Sequence, residues 1–223
     1  MPDRTIKSNM ISNTFTIQKG ITKHYYMFYK PYGCVSARTD QRYPTVMDYF
    51  KELDNPMLSP VGRLDRETEG LLLITDDGTW NQQLIHPKFH LEKTYEFLAL
   101  GTLDQTQINA LQRCVLLTGA ASPTAPARVS VQNNVFLKDV LPSLHPEIRE
   151  RLSHNRPEQP VVMGQLTITE GKKRQVRRML KAVGCYVIYL KRLSIGNIVL
   201  DDSLHPGEWI PIDPATYDTA HDL

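Results

Sequence analysis

The sequence predicts an α+β domain with a mostly antiparallel sheet. Short apolar runs of strand length recur along the chain, and helical stretches are few and short. The two kinds do not alternate regularly, which argues against a parallel βαβ array. Of 223 residues, 41% are hydrophobic and 22% charged, which excludes a disordered or fibrous chain. No apolar run, Leu71–Ile74 included, approaches the roughly 18 residues needed to span a bilayer.

Residues 1–23 are polar and aperiodic and read as a flexible N-terminal tail. His24–Tyr29 is aromatic-rich and reads as a buried strand, ended by the turn residues Lys30-Pro31-Tyr32-Gly33. Val46, Tyr49, Phe50 and Leu53 share one helical face in 45–53, and Thr45 can cap that helix. Leu71–Thr75 reads as a fully buried strand closed by the Asp76-Asp77-Gly78 turn. A short helix over 79–85 precedes Pro87. A strand over 94–100 and a helix over 104–113 follow. Strands are expected over 114–117, 127–132, 163–169, 186–190 and 195–200, with a helix over 174–183 between the third and fourth. Pro206-Gly207-Glu208-Trp209 closes the core. The domain thus spans 24–213, with a C-terminal tail over 214–223. Residues 133–162 hold four prolines around one short helical stretch, 147–152, and read as an irregular excursion contributing little to the core.

Three widely spaced cysteines argue against a disulfide framework and a zinc knuckle, and point to a reducing cytoplasm. The 20 N-terminal residues contain no apolar core of a signal peptide. His86 and His90 are four apart, but Pro87 interrupts the helix they would need and no third ligand is evident, so no metal is expected. Neither G-x-G-x-x-G nor a Walker A loop occurs, so no nucleotide cofactor is expected.

The net charge of +2 is uninformative, but its distribution is not. Between Gly171 and Arg192 stand eight Lys or Arg and no acid. In the 174–183 helix, Val176, Met179, Leu180 and Val183 form an apolar face. Their burial contributes roughly 1.5–3 kcal/mol each. Arg174, Arg177, Arg178 and Lys181 form the adjoining face, with Lys172 and Lys173 at the helix start. Cations there oppose the helix dipole, so stability does not select them; binding of phosphate does. The second constellation is Asp65, between Arg63 and Arg66, just before the most apolar strand. A carboxylate held ionised by neighbouring cations suits a nucleophile or a base, although a structural Asp–Arg pair has the same sequence signature.

Five stretches together resemble the RsuA family of RNA pseudouridine synthases. They are K-P-Y-G at 30–33, G-R-L-D-R-E-T-E-G-L-L-L-I-T-D-D-G at 62–78, E-K-T-Y at 92–95, E-G-K-K-R-Q-V-R-R-M-L at 170–180 and P-G-E-W at 206–209. The resemblance implies the pseudouridine synthase fold, a central mixed, mostly antiparallel sheet with flanking helices and an RNA-binding cleft. It implies cofactor-free isomerisation of uridine. Asp65 matches the family's essential Asp, Tyr95 the Tyr packing on the target base, and Arg177 the basic residue paired with the Asp. Arg63 matches the Arg that helps hold the flipped nucleotide. Lys172, Lys173, Arg174, Arg178 and Lys181 are the further expected RNA contacts.

Only 23 residues precede the first core strand, fewer than the roughly 40 a small domain needs. The chain therefore resembles the branch of the family without an N-terminal S4-type domain, which modifies large-subunit (23S) rRNA. P-E-I-R-E-R at 146–151 resembles a segment of that branch, whereas His86–His90 followed by E-K-T-Y is more like the small-subunit (16S) branch. The expected protein is a cytoplasmic monomer acting on ribosomal RNA, with no membrane association. Arg149, Arg151 and Arg156 make the excursion the expected source of target choice. A reading of another class is a non-catalytic RNA-binding ribosome-assembly factor on the same fold. Loss of Asp65, Tyr95 or Arg177 would favour it, and all three are present.

Overall fold

The computed structural model describes residues 22–217. Its strands are β1 (Tyr25–Lys30), β2 (Ser59–Val61), β3 (Glu69–Thr75), β4 (Lys93–Leu100), β5 (Arg128–Phe136), β6 (Pro160–Ile168), β7 (Tyr186–Ile195), β8 (Ile198–Val199) and β9 (Trp209–Pro211). Its α-helices are α1 (Gly78–Ile85), α2 (Gln105–Arg113), α3 (Leu137–Val140), α4 (Pro146–Arg151) and α5 (Gln175–Ala182). All nine strands join one sheet, in the order β5-β6-β4-β7-β3-β1-β9, with β2 on β3 and β8 on β7. The expected α+β class with a mixed, mostly antiparallel sheet is observed.

Strand alternation explains why the sheet is buried on both sides. In β3, Leu72 and Ile74 enter one apolar cluster, with Phe28, Phe97 and the α5 residues Val176, Met179 and Leu180. Leu71 and Leu73 enter another on the opposite face, with Met27, Trp80 and Leu84. The expected apolar face of α5 is therefore the buried one.

The junction of β3 with β7 positions the site. It is the one parallel pairing between strands among the described residues, confined to Glu69↔Lys191 and Gly70↔Arg192. Gly70 has φ +98°, and a Cβ there would stand 2.3 Å from the Arg192 carbonyl oxygen. Only glycine permits this approach. On the other side of β7, Arg192 lies opposite Tyr95 of β4. Arg192 thus links Tyr95 to the start of β3, and the 62–68 loop leads directly into that start.

Several sequence expectations need correction. The 46–53 helix is 3-10 rather than α, although Asp48 accepts from the Thr45 N–H at 2.7 Å as a cap partner. Residues 114–117 are not a strand. Val115 and Leu117 are buried in a loop, and Val115 exchanges hydrogen bonds with the side chain and N–H of buried Thr124. The two strands expected over 186–200 are one long strand, β7, turned by Gly196 (φ +55°) into the short β8. The short β2, which contains Pro60, has no counterpart among the expected strands.

The largest correction concerns 133–162. Its ends belong to β5 and β6, paired from Arg128↔Thr167 to Phe136↔Pro160. Its middle forms α3, a 3-10 turn and α4. Leu137, Val140, Leu144, Ile148 and Leu152 build a third apolar cluster on Leu98, Leu100, Val161 and Ile188. This is core, not an excursion. The 1–23 tail lies outside the described residues except for its last two. Residues 214–217 of the C-terminal tail form a 3-10 turn, and Tyr217 packs against the second cluster.

Candidate active site

The loop carrying Asp65 is fixed from beneath. Leu64 is buried, and the Ser36 hydroxyl both accepts from its N–H and donates to its carbonyl, each at 3.0 Å. The Thr68 N–H donates to the Asp65 carbonyl at 3.0 Å and closes the turn. Lys30, wholly buried at the end of β1, donates to the carbonyls of Pro31 (2.9 Å), Thr68 (2.9 Å) and Arg66 (3.3 Å). Burial pushes its pKa down to about 8, against the pull of nearby acidic groups. The K-P-Y-G turn and the G-R-L-D-R-E-T loop are thus tied through one cation. The Asp65 side chain is half-buried and, among the described residues, its carboxylate receives no hydrogen bond or ion pair. Its backbone is held and its oxygens are left open.

Tyr95 is buried on β4, between Leu166 of β6 and Arg192 of β7. Lys93, two residues earlier, lies on the same strand face. Burial first, and then the Arg192 charge, lower the Lys93 pKa. Arg192 is almost wholly buried. Its Nε donates to the Leu71 carbonyl at 2.8 Å, and its Nη2 has no partner among the described residues.

The segment ahead of α5 is ordered by its own side chains. Gln175 is buried, accepts from the Lys172 N–H at 2.8 Å and donates to Glu170 at 2.6 Å. Arg174 takes the left-handed conformation (φ +52°) that starts the helix. Lys172 is engaged by Glu170 at 3.1 Å and by the Pro123 carbonyl at 2.9 Å. Arg177, partly buried beneath, donates to the carbonyls of Glu67 (2.8 Å) and Val187 (3.2 Å), and desolvation lowers its pKa. No ion pair joins Arg177 to Asp65 among the described residues. The guanidinium instead grips the Asp65 loop two residues further on, and the Glu67 carboxylate stands 4.0 Å away.

These pieces enclose a cleft of about 1000 Å³. It gathers Asp65, Tyr95, Arg177, Arg63, Lys172, Lys173 and Arg174 from stretches far apart in the chain. Arg178 and Lys181, expected with them, line a neighbouring cavity instead. Arg178 is turned to the Thr118 carbonyl at 2.7 Å. Sequence reasoning gave no role to Lys30, Ser36, Glu67, Lys93 or Arg192. Lys30, Glu67 and Lys93 lie inside the family motifs, but nothing in the sequence marks the partner that each of them meets. An open carboxylate beside a buried aromatic ring, rimmed by cations, suits chemistry on a planar base carried by an anionic chain.

Known proteins resemble this chain over most of its length. Residues 24–182 match the family model described as RNA pseudouridylate synthase. The chain is 35% identical over 191 residues to the ribosomal small subunit pseudouridine synthase A of Haemophilus influenzae, covering 84% of this chain and 69% of that protein. It is also 35% identical over 191 residues to the ribosomal large subunit pseudouridine synthase B of Bacillus subtilis, covering 85% and 68%. A crystal structure of a pseudouridylate synthase superposes with a TM-score of 0.70 at 33% identity, covering 87% of this chain and 72% of that one.

Proposed function

The chain belongs to the RNA pseudouridylate synthase family, and we propose that within it the substrate is a uridine of ribosomal RNA, isomerised with Asp65 as the reacting group. The observation that carries this reading is the convergence of Asp65, Tyr95 and Arg177 on one cleft. Isomerisation breaks the N1–C1′ bond, turns the base and joins C5 to C1′. The C5 proton leaves and N1 gains one, so nothing is oxidised or reduced. Asp65 either attacks C1′ or takes the C2′ proton to give a glycal. Both routes need a carboxylate whose oxygens are free, as those of Asp65 are. Tyr95 supplies a face on which the detached uracil stacks, worth about 1–3 kcal/mol. Arg177 orients the reacting loop through the Glu67 carbonyl and contributes positive charge to the cleft. The target base must leave its stack to reach this depth. Arg63, Lys172, Lys173 and Arg174 line the cleft where the phosphates of such a nucleotide would run, with Arg178 and Lys181 beyond.

For the target molecule, the relatives named for the small subunit favour 16S rRNA, and these matches extend over more than four-fifths of the chain. The second reading is 23S rRNA, as in RluE, the branch of the family without an N-terminal S4-type domain. It rests on the P-E-I-R-E-R match and on the similarity to the large-subunit enzyme. Either substrate implies a cytoplasmic enzyme, and the reaction requires no second copy of the chain. The test is incubation with unmodified transcripts of both ribosomal RNAs, followed by pseudouridine mapping. A new pseudouridine in one transcript supports the reading, and none in either refutes it.

A further inference from the structure

Beside the main cleft, on the other flank of α5, lies a second cavity of about 460 Å³. That volume is in the range of small-molecule sites, about 300–1,000 Å³. It adjoins the cleft, and Arg174 and Arg177 line both. Its floor is apolar, made of the buried side chains of Leu100, Leu152 and Ile188. Its rim is cationic: Arg151, Arg174, Arg178 and Lys181. One acid, Glu67, answers them. It stands 3.4 Å from Arg151 and 3.3 Å from Arg174, and 4.0 Å from Arg177 below. Lys181 has no acidic partner among the described residues, so positive charge is in excess. At the edge stands Tyr186, the first residue of β7, with 56% of its surface exposed. Its cross-strand neighbour is Leu100 of the floor. The fold does not bury this ring, although it stands on the rim of an apolar floor.

An exposed aromatic ring over an apolar floor within a ring of cations is the composition that holds single-stranded nucleic acid, bases by stacking and phosphates by charge. We propose that this groove is a second RNA subsite: it takes the strand where it leaves the main cleft, with one unpaired flanking base on Tyr186 and its phosphates on the surrounding cations. The proposal rests on the reading of the cleft as the uridine site and adds to it a place where the flanking sequence is felt. Arg151 gives the 137–152 segment a part in that subsite, whereas Arg149 and Arg156 do not line it.

The test uses the full chain and 4-thiouridine-substituted transcripts of small- and large-subunit ribosomal RNA. Cross-linked peptides are mapped, and KM and kcat are measured for the wild type, Tyr186→Ala and Tyr186→Phe. The expected result is a cross-link at Tyr186 in addition to those in the main cleft. Tyr186→Ala should raise KM about tenfold, with a smaller fall in kcat, and Tyr186→Phe should restore it because stacking needs the ring and not the hydroxyl. Cross-links confined to the main cleft, or a Tyr186→Ala protein that converts uridine with wild-type KM, overturn the subsite and leave the uridine site standing. A wild-type protein that converts uridine in neither transcript overturns the reading of the cleft, and the subsite with it.

Discussion

Arg66 and Glu147 meet at 2.7 Å, and the pair joins the loop that carries Asp65 to helix α4. A second pair of reversed polarity, Glu67 with Arg151 at 3.4 Å, lies one helical turn along. Tyr32, in the K-P-Y-G turn, stacks on His145 at the start of that helix, with ring centroids 4.2 Å apart. These interactions dock α4 against the candidate site, from a segment that the sequence presents as peripheral.

Burial, not charge, holds that helix in place. Both ion pairs are partly exposed, and such pairs contribute about 0–1 kcal/mol. Ile148 is 1% exposed, and removing a side chain so placed costs about 2–5 kcal/mol. Ile148→Ala is expected to lower unfolding free energy by that amount in urea titration. Glu147→Gln is expected to cost no more than about 1 kcal/mol. An Ile148→Ala protein as stable as wild type would return the segment to the periphery.

Lys30 makes stability depend on alkaline pH. Its pKa is pushed down to about 8 in the folded protein, from the ordinary lysine value of 10.5. Between these values the unfolded chain binds the extra proton, so stability rises with pH across that window. Below it the charge is present in both states and its burial is costly; above it the cost is gone. The span corresponds to roughly 3 kcal/mol. The measurement is the difference in unfolding free energy between wild type and Lys30→Met at about pH 7, 8, 9, 10 and 11, a series that brackets the window. It should shift in favour of wild type as pH rises, and a flat difference contradicts the assignment.

Arg177 and Arg178 are neighbours with different tasks. Arg177 grips the Glu67 carbonyl inside the cleft, whereas Arg178 is turned to the Thr118 carbonyl outside it. Arg177→Ala is expected to reduce the single-turnover rate at saturating RNA far more than Arg178→Ala. Equal losses would make Arg177 one cation among several.

Salt dependence measures the phosphate binding ahead of α5. Each phosphate that is no longer neutralised lowers the slope of log K against log salt by about 0.7–0.9. Lys172 is engaged by Glu170 and the Pro123 carbonyl, so it is not fully free for phosphate. The triple change Lys172→Ala, Lys173→Ala, Arg174→Ala should therefore remove about one to two units of slope, less than three free cations would. An unchanged slope would mean that this cluster faces only solvent.

What the sequence made legible was whatever depends on local spacing. The buried face of α5 follows from Val176, Met179 and Leu180, and the buried β3 from an uninterrupted apolar run. The convergence of Asp65, Tyr95 and Arg177 was implied by motif resemblance, and the fold brings them to one cleft. What stayed hidden depends on partners far away in the chain. Lysines are mostly exposed, and Lys30 is buried only because carbonyls from residues 66 and 68 come to meet it. Arg192 is buried by the parallel pairing with Gly70, which no local pattern announces. The 137–152 segment is deceptive for a different reason. Leu137, Val140, Leu144, Ile148 and Leu152 recur every three or four residues, but Pro142 and Pro146 break the helix and mask the stripe.

If Asp65 performs the chemistry, Asp65→Asn removes it without disturbing the fold. Its carboxylate bonds to none of the described residues, so the near-isosteric change should leave melting temperature and RNA affinity intact. The measurement is pseudouridine formed per enzyme in whichever ribosomal transcript the wild type converts. The Asn variant should form none above background, and turnover within about tenfold of wild type would contradict the assignment of Asp65.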